Sequence, residues 1–412
     1  MDKQNSDAIH ETEEWTTLPS MSTPRRLFGA TTIKDKIYIA GGRDEQNRRL
    51  SSAEVYDCKY NEWSPLPDMK KKRNGCAVTS VGGKVYAVGG HDGRRLASCE
   101  MFDPDTKEWT AIPDMKEARW CCAACGIGNR LYVIGGYGGD GLLSSIEVFD
   151  AVTQEWSILP NMTTIREGCA AVCVGNRIHV FGGHDGSTWL SSAEVYDVTT
   201  QKWTQLPDMK ERRSGCAATL VGNRIYIVGG CDGTTYQSSC EVFDTFTNTW
   251  SSPIPNMKEK RLSCQAVTIG PNIYVLGGYR GCSTTSSVEV FETITTMKNY
   301  GCIGYLYLYI WCMIVTMLYI FYRVVCKKVE FIDPMPEHLC TLKNDPKKSS
   351  FMTAHQRVLF MEESVGLKHD PSALLIRRVE FLEMNICREN KDSGKSLIER
   401  IDNLEVLLFG KK

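Results

Sequence analysis

The sequence predicts an all-β chain of six repeated four-stranded sheets. Two observations carry that prediction: glycine pairs and tryptophans recur with one shared period, and short β-branched or aromatic runs alternate with Gly, Asn and Asp turns. Over 412 residues, 48 Lys and Arg balance 49 Asp and Glu, so no global charge points to nucleic acid. A hydrophobic content of 42% excludes wholesale disorder. Met1 to Glu14 is polar and acidic, without the apolar stretch of a secretory leader. The expected compartment is therefore reducing, and the cysteines are read as thiols.

The glycine pairs stand at Gly41-Gly42, Gly89-Gly90, Gly135-Gly136, Gly182-Gly183, Gly229-Gly230 and Gly277-Gly278. Trp15, Trp63, Trp109, Trp156, Trp203 and Trp250 each precede a pair by 26 residues, or 27 in the last case. An aromatic-acid pair also recurs, at Tyr56-Asp57, Phe102-Asp103, Phe149-Asp150, Tyr196-Asp197, Phe243-Asp244 and Phe291-Glu292. Each unit then reads as four strands. One leads to a turn, an apolar run ends at the glycine pair, a third strand carries the aromatic-acid pair, and the last carries the Trp. Glycine at Gly42, Gly90, Gly136, Gly183, Gly230 and Gly278 permits a close backbone approach that larger residues would block.

Glycine pair, aromatic-Asp and Trp together resemble the kelch repeat, over about residues 10–297. The resemblance implies a six-bladed β-propeller around a central channel. The sixth unit has Lys298 where its Trp is due, whereas Trp15 has no glycine pair before it. The segment around Glu11–Leu18 is therefore expected to complete blade six and close the ring.

Antiparallel parity puts the loop before each inner strand and the loop after each glycine pair on one face. An arginine recurs in the first loop, at Arg26, Arg73, Arg119, Arg166, Arg213 and Arg261. Such a ring would attract anions. It could equally pair with the periodic glutamates Glu54, Glu100, Glu147, Glu194, Glu241 and Glu289. After the glycine pairs come Arg43, His91, Tyr137, His184, Cys231 and Tyr279, a varied rim of the kind that carries recognition. The kelch resemblance implies peptide binding on this face through the arginines. The expected function is non-catalytic capture of an acidic segment of another protein, with no cofactor, metal or nucleic acid.

Two alternatives belong to other classes. A kelch-type copper oxidase or sugar-modifying enzyme would need converging Tyr and His ligands, and His91 and His184 stand two blades apart. A ubiquitin-ligase adaptor of the kelch-like type carries an N-terminal oligomerisation domain, and only about ten residues precede the repeats. Cys76, Cys122, Cys169, Cys216 and Cys264 follow the arginines by three residues, with Gly29 expected as their counterpart in blade one. They are read as small packing residues.

Residues 299–322 carry no charge and are long enough for a membrane-spanning helix. They predict single-pass membrane association, contact with lipid and a propeller on the cytoplasmic side, with a soluble cytoplasmic protein as the alternative. Residues 327–412 form the tail. There Leu375, Val379, Leu382 and Ile386, and then Leu397, Ile401, Leu404 and Leu408, follow a helical spacing that could serve self-association.

Overall fold

In the computed structural model, residues 14–293 are described. They form 24 strands in six four-stranded antiparallel sheets, and each sheet is one blade. Blade one is typical. Gly29–Ile33 is innermost, Lys36–Ala40 and Ala53–Asp57 follow, and Glu62–Leu66 lies at the outside. The second strand is buried along most of its length in every blade, which is why its sequence is an unbroken apolar run. The expected spanning segment 299–322 and the helical tail lie outside the described residues. Among the described residues no helix is long and apolar enough to cross a membrane.

The ring closes through the N-terminal segment, as the repeats predict. Thr16–Leu18 pairs antiparallel with Val288–Glu292 and becomes the outermost strand of blade six, with Thr16 opposite Val290. Trp15 packs on Phe291 at 5.2 Å between ring centroids, reproducing the Tyr56–Trp63 and Phe149–Trp156 pairs of complete blades. Each indole also donates to a proline carbonyl of the preceding blade: Trp63 to Pro19, Trp109 to Pro67, and round to Trp15, which donates to Pro255 at 2.8 Å. Trp therefore serves twice, as cross-strand partner and as a tie between blades.

The motif acid has its own task. Asp57, Asp103, Asp150, Asp197 and Asp244 accept backbone N–H groups of the hairpin that follows, and a left-handed residue such as Asn61 or Gln154 closes that turn. The glycine pairs explain themselves by space. A Cβ on Gly182 would lie 2.2 Å from the carbonyl oxygen of Arg213 in the next blade, and the Gly183 N–H donates to that same oxygen at 2.8 Å. The same bond joins every neighbouring pair of blades, through to Gly278 and Arg25.

One residue breaks the repeat. His179 stands where the other blades have Tyr38, Tyr86, Tyr132, Tyr226 and Tyr274, and it is buried with Nδ1 unpaired. Burial, and then nearby Arg177, pushes its pKa down to about 4. In the unfolded chain the imidazole titrates near 6.5. A depressed folded value means that stability is complete above the unfolded pKa and falls as pH drops from about 6.5 to about 4, by about 3 kcal/mol in all. Thermal melts at pH 7.5 and 4.5 should show this loss, and His179→Tyr should remove most of it.

Candidate functional site

The structure moves the blade arginines out of the site. Arg73, Arg119, Arg166, Arg213 and Arg261 are fully buried, and their counterpart in blade one is Arg25, not Arg26. Each bonds to the glutamate of its own blade: Glu54, Glu100, Glu147, Glu194, Glu241 or Glu289. In blade four, Arg166 Nε donates to Glu194 Oε1 at 3.0 Å. Its Nη1 donates to the Gly182 and Ser192 carbonyls, and its Nη2 to Ser192 Oγ. The second oxygen of Glu194 accepts from Thr163 N and Oγ1. Fully buried and bonded within their own blades, these six guanidiniums hold the glycine turn against the third strand. The pairing alternative read from the sequence is the one the geometry supports.

The shift in blade one also corrects the cysteine alignment. Phe28, not Gly29, occupies the position of Cys76, Cys122, Cys169, Cys216 and Cys264. Burial pushes those thiols up to about 11 (Cys122, Cys216) or about 12 (Cys76, Cys169, Cys264), as expected of packing residues. The reading of the cysteines as thiols before disulfides meets one exception. Cys125 and Cys173, on the inner strands of blades three and four, form a disulfide with Cα atoms 6.0 Å apart.

Parity is confirmed by short bridges that extend every blade beyond its glycine pair. Each blade offers the mouth of the channel three residues, from inside outward: Arg26, Arg43 and Arg49; Asn74, His91 and Arg95; Trp120, Tyr137 and Leu142. Blades four to six add Glu167, His184 and Trp189; Ser214, Cys231 and Tyr236; Leu262, Tyr279 and Thr284. Arg26, Arg43, His91, Tyr137, His184 and Tyr279 thus come together at the mouth as expected. The sequence reading missed the rest of the inner and outer positions. Their signal is available: every inner residue directly follows a buried arginine and varies while that arginine does not.

Below the mouth the channel narrows at a closed circle of backbone hydrogen bonds. Gly75 N donates to Leu27 O, Cys121 N to Gly75 O, Gly168 N to Cys121 O, Gly215 N to Gly168 O, Ser263 N to Gly215 O and Leu27 N to Ser263 O. All six residues have positive φ, which Gly adopts freely and Leu27, Cys121 and Ser263 hold at about 1–2 kcal/mol each. A cavity of about 250 Å³ lies here, lined by Leu27, Cys121, Glu167, Ser214, Leu262 and Ser263 among others.

The mouth is electrically lopsided. Arg26, Arg43 and Arg49 lie side by side across adjacent strands, an arrangement of like charges that costs free energy. Arg26 and Arg43 both donate to Asn47 Oδ1, and Arg26 lies 4.9 Å over the Tyr279 ring. Arg95 stacks at 4.3 Å over Tyr137. Among the described residues no carboxylate pairs with Arg26, Arg43, Arg49 or Arg95. Burial, then Arg49 and Arg43, lowers the pKa of His91. Its Nδ1 accepts from Gly93 N, as His184 Nδ1 accepts from Gly186 N. Aromatic pairs line the rest of the rim, with Trp189 edge-on to His184 at 4.8 Å and Tyr236 to Tyr279 at 5.7 Å.

Other places offer less. A shallow hollow of about 460 Å³ between blades three and four, on the opposite face, contains Arg130 and Asp150, which pair with each other at 3.3 Å. Among the described residues no group of His, Cys, Asp and Glu is placed to hold a metal ion.

Fold and mouth together define a closed six-bladed propeller that offers one varied, concave face. Residues 7–136 and 114–278 match the KLHDC2/KLHL20/DRC7 Kelch-repeats domain, and the chain belongs to the kelch-repeat family. It is 50% identical over 48 residues to Kelch-like protein 41a of Danio rerio, covering 12% of this chain and 8% of that protein. It is 46% identical over 46 residues to the F-box/kelch-repeat protein At1g16250 of Arabidopsis thaliana, covering 11% and 12%. The chain thus matches about a tenth of the length of these relatives. The solved structure of YjhT superposes with a TM-score of 0.61 at 14% identity, over 68% of this chain and 97% of that one, which shows the shared fold.

Proposed function

We propose that the chain is a non-catalytic protein-binding module that captures an acidic segment of a partner protein at the channel mouth. Kelch propellers commonly bind proteins, and one observation carries the finer reading. Three arginines of blade one stand adjacent at the mouth, and among the described residues no carboxylate neutralises them. A carboxylate or phosphate arriving there relieves the repulsion and receives charge-assisted forks. Arg95, His91 and the rim aromatics extend the same surface with further donors and flat apolar area.

The test is a fluorescence-anisotropy titration of the full chain with a labelled glutamate-rich peptide. Arg43→Glu with Arg49→Glu should weaken binding by about 2–5 kcal/mol and flatten its salt dependence. The melting temperature should hold, because neither side chain is part of a buried pair. Normal binding by a folded double variant would place the site elsewhere.

A further inference from the structure

Blade four lies opposite blade one in a ring of six, and its innermost mouth residue is Glu167, across the channel from Arg26. Glu167 is half-buried and lines the cavity below the mouth. Among the described residues, no hydrogen bond or ion pair reaches its carboxylate, whereas the other glutamates that line up behind the blades are fully paired. Burial raises its pKa, with only His184 and Arg95 opposing. The mouth therefore has a cationic wall and, facing it, one carboxylate without a donor.

We infer that the occupant is a bipolar segment of a partner protein, whose acidic group lies on Arg26, Arg43 and Arg49 while a lysine or arginine side chain enters the cavity to reach Glu167. This rests on the acidic-segment reading above and goes beyond it by naming the second group. A partly desolvated carboxylate gains most from a charged donor, and the cavity walls of Leu27, Leu262, Ser214 and Ser263 suit an aliphatic stem with a polar tip. The same carboxylate repels a purely acidic chain, so Glu167 confines acidic groups to blades one and two. It acts as a specificity residue.

The experiment uses the full chain and labelled synthetic peptides. Each carries a run of glutamates and a single lysine at a different distance from it, beside a matched series with glutamine in place of lysine. The wild-type chain should prefer lysine over glutamine by about tenfold at one spacing. Glu167→Gln should lose that preference while still binding the acidic run, and should bind the lysine-free peptides several-fold more tightly. Retained acidic binding with no lysine preference, or a preference that survives Glu167→Gln, overturns the inference and leaves the acidic reading standing. If no glutamate-rich peptide binds at all, the acidic reading falls and the inference with it.

Discussion

Arg166→Ala should cost about 3–5 kcal/mol of stability, lowering the melting temperature by on the order of 10 °C. The substitution leaves Glu194 as a fully buried carboxylate still held by Thr163 but without its counter-charge. It also removes the side-chain donor to the Gly182 carbonyl and one of the two donors to the Ser192 carbonyl, which keeps its bond from Gly182 N. A lone buried charge is far more costly than a missing pair, so Arg166→Met combined with Glu194→Leu should recover much of the loss. Calorimetry of the two variants checks this. Equal destabilisation by both would show that the loss comes from packing and not from the orphaned charge. The outcome also separates scaffold from site, because rim variants at Arg43 and Arg49 should leave the melt unchanged.

Deleting residues 1–20 should destabilise the propeller by several kcal/mol and promote aggregation. The deletion removes the strand Thr16–Leu18, exposing the edge of Val288–Glu292. It also empties the place where Trp15 packs on Phe291 and donates to Pro255. Trp15→Ala alone should cost about 3–5 kcal/mol, the range for truncating a buried large aromatic. Thermal unfolding followed by light scattering reads both effects. An unchanged melt in the truncated chain would contradict closure through the N-terminal segment.

Much of this was legible in the sequence because the repeat is written six times. Glycine pairs, aromatic-acid pairs and Trp define the blades, and strand parity assigns loops to faces without coordinates. The departure of the sixth unit at Lys298 pointed to closure by Trp15. The register of blade one was not read correctly, because Arg25 and Arg26 are adjacent and both fall within the variation of the period. Burial separates them: Arg25 is fully buried and Arg26 is not. A finer pattern would have done so: a buried methionine precedes the buried arginine by four residues in every blade, from Met21 and Arg25 to Met257 and Arg261.

The outer mouth positions escaped for a different reason. The loop after each glycine pair varies in length, so Arg49, Arg95 and Trp189 have no fixed offset and emerge only from backbone pairing. The Cys125–Cys173 disulfide has no periodic signature either, since the two residues occupy different positions in their repeats and meet only because neighbouring inner strands do. Glu167 is masked by the periodic Arg166 before it, whose burial shows that the next residue is the one that faces the mouth.

The central claim is that the rim arginines, and not the periodic buried ones, make this face a binding surface. The measurement that tests it most directly is the peptide titration of Arg43→Glu with Arg49→Glu, made beside its melting curve. The account predicts a wild-type melt with affinity for the glutamate-rich peptide reduced by about 2–5 kcal/mol. A wild-type melt with wild-type affinity would contradict it.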